Sequence, residues 1–477
     1  MSTIDQEFKA RASHIPHHGL GLSVDVYSPN LFELAGALDR RGLDCGYLEI
    51  FKAAAPALAT VRRRLPQALC AYHAEGLWVT QPEPDRISPF DAELDETAEQ
   101  LRILGSHWLN HECAAKQMAG YAFGTYLPAL FTRASAEVTA ANIARAQERL
   151  DRSCAARNGT GPLFLLETPP LTYVGFGELG LPEYFRLVTA QVPCGIVLDV
   201  GHLWTVYRYT GEWRRRPLAA FLAEFLDAFP LDRVVEIHMA GLAVHPSLPA
   251  AVLADGAPFW IDAHGAPIPD VLSDMLAQVL DHPGLCQLKG VALEVDTKPI
   301  PMIVEEFARA RERFGEQCSR FEVRRSTFDV ESDSANFEHR TSNYESLARQ
   351  YDRYAQIVTG RATGGLPVLG DDASALPLYT DHYLPHEILE WGGVVRDMFP
   401  ETCQQLDRAG IELKEFVRFW FREPRETGQA YDFFLLKIER FLEFVQEVLP
   451  AATDVAQREA DVLRSGYATA CEQVGQA

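Results

Sequence analysis

Ten side chains in this sequence have the chemistry of metal ligands and stand where short apolar runs end. CAYHAEG supplies His73, and WLNHE supplies His111 and Glu112. FLLETPP contributes Glu167, VLDVGH contributes Asp199 and His202, EIHMAG contributes His238, WIDAHG contributes Asp262 and His264, and ALEVD contributes Glu294. One such residue at a strand end is ordinarily a hydrogen-bonded structural group. Ten together are different, because desolvating so many ionisable groups is strongly unfavourable unless cations neutralise the carboxylates. Imidazole and carboxylate donors without thiolate suit iron(II), manganese or zinc. So many donors exceed the roughly four to six that one ion uses. The expectation is a cluster of two or three ions, with a carboxylate such as Glu167 available as a bridge. Asp262, His264 and His202 are the expected catalytic residues. His17, His18, His107, His245 and His282 lie before a strand, within a mixed run or in loops, and read as structural or solvated.

The elements that must position these residues recur eight times. Apolar runs of strand length cover residues 19–24, 46–51, 68–73, 108–112, 162–168, 195–200, 234–240 and 291–295. Amphipathic segments such as 30–40, 136–152 and 218–229 lie between them, and alternation of this kind reads as βαβ units with a parallel sheet. Eight units predict an α/β protein with a closed (β/α)8 TIM barrel, whose active site is built at the C-terminal ends of the strands. An open doubly wound sheet is the alternative, but no G-x-G-x-x-G or G-x-x-x-x-G-K-[ST] follows a strand. A barrel takes about 250 residues, so a chain of 477 residues predicts a second domain. The expected division is a barrel over 1–320, with a closing helix at 303–314, a linker region over 321–365, and a helical domain over 366–477. Residues 324–339 are polar and charged, 344–358 have helical character, and 363–376 are rich in Gly, Pro and Asp. Helices are expected at 411–422 and 431–449. The latter carries Phe433, Phe434, Ile438, Phe441, Leu442 and Val445 at helical spacing, which reads as core.

A net charge of −22 opposes binding to a polyanion such as nucleic acid. The nine cysteines form no C-x-x-C pair, so neither a disulfide framework nor a thiolate zinc site is indicated. No apolar stretch is long enough for a membrane span and the first residues are polar, so a cytoplasmic protein is expected.

Two resemblances then emerge. The order His73, His111, Glu167, Asp199-x-x-His202, His238, Asp262-x-His264, Glu294 resembles the ligand order of endonuclease-four-type barrels, which hold three zinc ions. The surrounding sequence, from about residue 19 to 299, resembles the multinuclear non-haem iron-dependent oxidative enzymes, the group of the methanobactin-biosynthesis oxygenase. GLGLSVD, GYLEIF, YHAEGL, FLLETP, GIVLDVGH, EIHMAGL, WIDAHGAPI and ALEVD carry that likeness. It implies a xylose-isomerase-like barrel holding two or three irons of mixed valence. Dioxygen would be the co-substrate, and a residue of a ribosomally made precursor peptide, often cysteine, would be oxidised. Departures are Phe51 after Glu49 and His202, where many members have His and Asn, and the order His111-Glu112, where many have an acidic residue before His. They move the ligand set toward a fully occupied three-metal site. The resemblance also implies a peptide-presenting partner protein. Residues 366–477 are read either as its fused equivalent or as a stabilising or dimerising appendage. The competing function is a zinc- or manganese-dependent hydrolase or isomerase of the same barrel class, acting on abasic-site DNA or a sugar.

Overall fold

A computed structural model describes residues 2–87, 89–154, 161–248, 256–319, 340–425 and 432–474. Eight strands form the central sheet: β1 (Gly19–Val24), β2 (Leu48–Phe51), β3 (Cys70–His73), β4 (Trp108–Glu112), β5 (Leu163–Glu167), β6 (Gly195–Asp199), β7 (Val234–Met239) and β8 (Gly290–Glu294). All neighbours are parallel, and β1 pairs with both β2 and β8, so the sheet closes into a barrel. Continuous apolar runs form these strands because a parallel barrel strand is covered on both faces, by helices outside and by the filled interior within. Six of the eight are buried at every position.

The barrel interior is layered. Phe8 and Ala12, from the N-terminal helix Thr3–Ser13, close its lower end together with Ile15, Tyr47, Ala71, Trp108, Leu163, Leu165, Val197, Val235 and Ala292. Tyr47 fits there because β1 presents Gly21, where a Cβ would stand 2.3 Å from the Tyr47 ring. Above this apolar floor the inward positions turn polar.

Local sequence explains the helices that follow the strands. Asn30 caps Leu31–Arg40 by accepting from the backbone of Phe32 and Glu33, and Asp199 caps Val200–Tyr209 by accepting from His202. Both satisfy amide donors that a helix start would otherwise leave orphaned.

Two hairpins leave the barrel. Ala114–Met118 and Tyr121–Pro128 form one after β4, and Leu242–Val244 with Trp260–Asp262 form the other after β7. The first meets the C-terminal helices. Trp420 Nε1 donates to the Ala122 carbonyl at 2.7 Å, the Arg425 amide donates to Gly120 at 2.7 Å, and the Phe421 ring packs on Phe123.

The expected boundary at 324–339 lies outside the described residues. Arg340–Val358 is a helix whose Tyr351 hydroxyl donates to the Thr80 carbonyl and accepts from the Leu130 amide. The Gly- and Pro-rich stretch 363–376 is hydrogen-bonded to a barrel loop, through Gly177 to the Pro367 carbonyl and Leu369 to Gly175. Beyond it the chain is helical, including Leu413–Trp420, Phe433–Val448 and Thr453–Val474. One apolar core runs from Leu20 to Ala460 through barrel and C-terminal region alike. No helix among the described residues is long and apolar enough to cross a membrane.

Candidate metal centre

Strand register places the polar inward residues in one layer. Ser23 stands level with Glu49 and Glu294, Glu112 with Glu167, and Asp199 with His238. Because side chains alternate along a strand, Asn110 and Glu112 share the inward face of β4, and His111 between them faces outward. The Leu77 amide donates to His111 Nε2 at 3.2 Å, and His111 Nδ1 donates to the Glu112 carbonyl. Both ring nitrogens are thereby engaged, and burial pushes the imidazole down to about 4. His111, expected among the ligands, is therefore placed away from the centre.

The other nine expected residues converge. Glu167 lies at the middle, accepting from Asn110 Nδ2 at 2.6 Å, with His73 Nε2 at 3.3 Å and His238 Nδ1 at 3.1 Å. His238 also approaches Glu294 at 3.3 Å and Glu49 at 3.1 Å. Asp262, delivered by the second hairpin, lies 3.6 Å from His202 Nε2 and 3.1 Å from His264 Nε2. Three histidines are oriented from behind. His73 Nδ1 faces the Ala74 carbonyl, His202 Nδ1 faces Thr168 and His264 Nδ1 faces Asp296. A proton held on each Nδ1 leaves each Nε2 lone pair aimed inward, the arrangement that prepares an imidazole for a metal.

Sequence reasoning missed Glu49, Glu236 and Asn110 as members of this layer. Glu236 precedes His238 by two positions, so the strand period alone puts both on one face. Tyr47 donates to Glu236 at 2.5 Å, and Ser23 Oγ donates to Glu49 at 2.9 Å. Three groups of donor atoms lie within 4.8 Å of one another: His73, Glu112 and Glu167; Glu167, Asp199, His238 and Glu294; and Glu49, Glu236 and His238. Glu167 belongs to two of them, as a bridging carboxylate would.

Charge crowding tests whether cations fit. Burial, then the charge of Glu167, pushes Glu112 well above the usual carboxylate range. Burial raises Asp199 to about 7, and burial with Glu49 raises Glu236 to about 8. Burial would also raise Glu167, but His238 and His73 hold it well below its ordinary value. Burial would depress His73, yet Glu167 and Glu49 raise it to about 9, and carboxylates likewise hold His202, His238 and His264 high against burial. One oxygen each of Glu49, Glu112, Asp199, Glu236, Asp262 and Glu294 is buried without a hydrogen-bond partner among the described residues. Buried orphan acceptors of this kind are costly. Divalent cations bound by oxygen and imidazole would satisfy them together.

Relatives match part of the chain. A UPF0276 protein of Caulobacter vibrioides (strain NA1000 / CB15N) is 26% identical over 275 residues, 56% of this chain and 83% of that protein. A second UPF0276 protein of that strain is 30% identical over 165 residues, 34% of this chain and 48% of that one. Among solved structures, endonuclease IV from Thermus thermophilus aligns with a TM-score of 0.38 and 18% identity, over 63% of this chain and 99% of its own. Residues 50–314 match the model of a family described as the RiPP precursor modification enzyme MbnB/TglH/ChrH. That match spans more than half of the 477 residues and contains every residue of the polar layer except Ser23 and Glu49, so this chain belongs to the MbnB/TglH/ChrH family.

Proposed function

We propose that this protein is a multinuclear non-haem iron enzyme that uses dioxygen to oxidise a residue, cysteine in the first instance, of a ribosomally synthesised precursor peptide. The observation that carries this reading is the layer of buried carboxylates and inward-aimed imidazoles, with its orphan acceptors, in a chain of the precursor-modifying family. His73, Glu112, Glu167, Asp199, His202, His238, Asp262, His264 and Glu294 would hold the ions, with Glu49 and Glu236 beneath them. Bound iron would supply the one-electron chemistry that couples dioxygen reduction to oxidation of the peptide.

The chain's own residues do the rest. Asp262 and His264 are the more open of the imidazole and carboxylate groups, with side chains 13% and 29% exposed against 5% for Glu294. They therefore stand on the side from which a peptide approaches. Asp296 orients His264 by accepting its Nδ1 proton. Tyr383, from the C-terminal region, packs beside the hairpin that carries Asp262, its ring 4.5 Å from that of His245 and its hydroxyl 2.9 Å from that of Thr125. Residues 366–477 are accordingly proposed to hold the peptide at the mouth in place of a separate presenting partner. Tethering of this kind raises the effective concentration of a flexible substrate.

The test is anaerobic purification with metal analysis, then incubation with a cysteine-containing precursor peptide and oxygen. Iron in the protein, oxygen uptake and a mass change on the peptide are the expected results. Zinc alone in a colourless protein, with cleavage of abasic-site DNA or isomerisation of a sugar, would replace this reading by a hydrolase or isomerase.

A further inference from the structure

A second cluster of donor atoms lies outside the barrel centre. His245 directly follows Leu242–Val244, the strand paired with Trp260–Asp262, so it extends the hairpin that carries Asp262. Across from it the C-terminal helix Leu384–Glu390 presents His386 and Glu387. His245 Nε2 is 3.1 Å from Glu387 Oε1, and His386 Nδ1 is 3.5 Å from the same oxygen. The donor atoms of all three lie within 4.8 Å of one another. Around a tetrahedral zinc ion with bonds near 2.0–2.1 Å, ligand atoms stand about 3.3 Å apart. The two imidazole contacts to Glu387, at 3.1 and 3.5 Å, already stand close to that spacing.

His245 Nδ1 accepts from the Ser247 amide at 3.4 Å and sits 2.7 Å from Ser247 Oγ, which leaves Nε2 to face Glu387 Oε1 at 3.1 Å. A cation bound at Nε2 would take the place of the proton shared with that carboxylate, with Nδ1 still held by Ser247. His386 Nδ1 is buried and has no hydrogen-bond partner among the described residues. Burial would raise Glu387, yet the two imidazoles hold it below the ordinary carboxylate range.

We propose that His245, His386 and Glu387 form a separate site for a divalent cation of the zinc class, which clips the C-terminal region to the hairpin bearing Asp262. Two imidazoles and one carboxylate are a donor set suited to zinc, and the partly exposed His386 edge leaves room for a water as fourth ligand. The clip lies beside Tyr383, whose ring is 4.5 Å from that of His245. This site is independent of the reaction assigned to the barrel centre.

The experiment uses the full chain, saturated with zinc and freed of excess, with bound metal counted by mass spectrometry. Wild type should hold one ion more than His386→Ala and one more than Glu387→Gln. The glutamine can still accept from His245, so a purely hydrogen-bonded brace would survive that change while an ion site would not. His386 is partly exposed, which keeps its alanine variant foldable. Asp262→Ala should lose ions from the barrel centre and keep this one, and cobalt(II) in Asp262→Ala should give a tetrahedral visible spectrum that His386→Ala in the same background removes. Equal zinc counts in wild type and both clip variants would overturn the proposal and leave the three residues as a hydrogen-bonded contact.

Discussion

Asp262 and His264 are the residues on which the centre can be probed with least damage elsewhere. They come from a loop hairpin, not from a barrel strand, and their side chains are 13% and 29% exposed. Asp262→Ala or His264→Ala should therefore abolish turnover and remove metal while the barrel stays folded, as read by circular dichroism beside metal analysis. Full activity in a metal-replete Asp262→Ala protein would refute their place in the centre. His18 offers a different reading, of stability. It is 3% exposed with its ring 4.3 Å from that of Trp108, and burial depresses its pKa from 6.5 to about 4. The folded state thus prefers the neutral ring, and the unfolded chain takes up the proton first. Stability is full above pH 6.5 and falls as pH drops toward 4, by about 3 kcal/mol from this group. Denaturant midpoints over that interval should fall less steeply in His18→Gln, and identical slopes would show that His18 titrates normally. Most of the centre was legible at this scale because strand-end acids and imidazoles are conspicuous. His111 was misplaced for want of β4's inward register, which puts Asn110 and Glu112 inside. Glu49 and Glu236 were overlooked because they lie deeper in their strands than the ends where ligands were sought.

Among the elements, the eight strands emerge within a residue or two of where hydrophobic runs place them. A buried parallel strand is almost wholly apolar, so its pattern survives in sequence. The hairpin Ala114–Met118 with Tyr121–Pro128 does not announce itself, since AAKQMAGYAFGTYLP mixes polar and apolar residues without alternation. Its burial comes from the C-terminal helices, a partner far away in the chain. Gly124 records that contact. Its φ is +69°, and a Cβ there would stand 2.5 Å from Phe433 Cζ. Gly124→Ala should lower stability by about 1–3 kcal/mol through backbone strain and displacement of the ring. Adding Phe433→Leu should recover part of the loss in a double-mutant cycle. Strict additivity would mean that the ring and the turn do not press on each other.

For the whole molecule, the continuous core decides what can be removed. A chain ended at Gly365 would uncover Phe123, Leu127 and their neighbours on the hairpin, together with the ring of Tyr173, all buried in the full chain. Such a patch promotes association. The shortened protein is expected to aggregate or to melt well below the full chain, and size-exclusion chromatography with thermal unfolding would decide it. A monomer with an unchanged midpoint would show that the two regions are energetically separate. The sealed lower end of the barrel matters for traffic. Phe8, Ala12 and the apolar layer above them pack as one cluster across the floor among the described residues, so access to the centre is expected from the strand-end side alone. On the proposed function, peptide and product would both use the side marked by Asp262 and His264, whose side chains are 13% and 29% exposed. A modified peptide lingering there would then block its successor, and competitive product inhibition is the kinetic signature that the proposed function predicts.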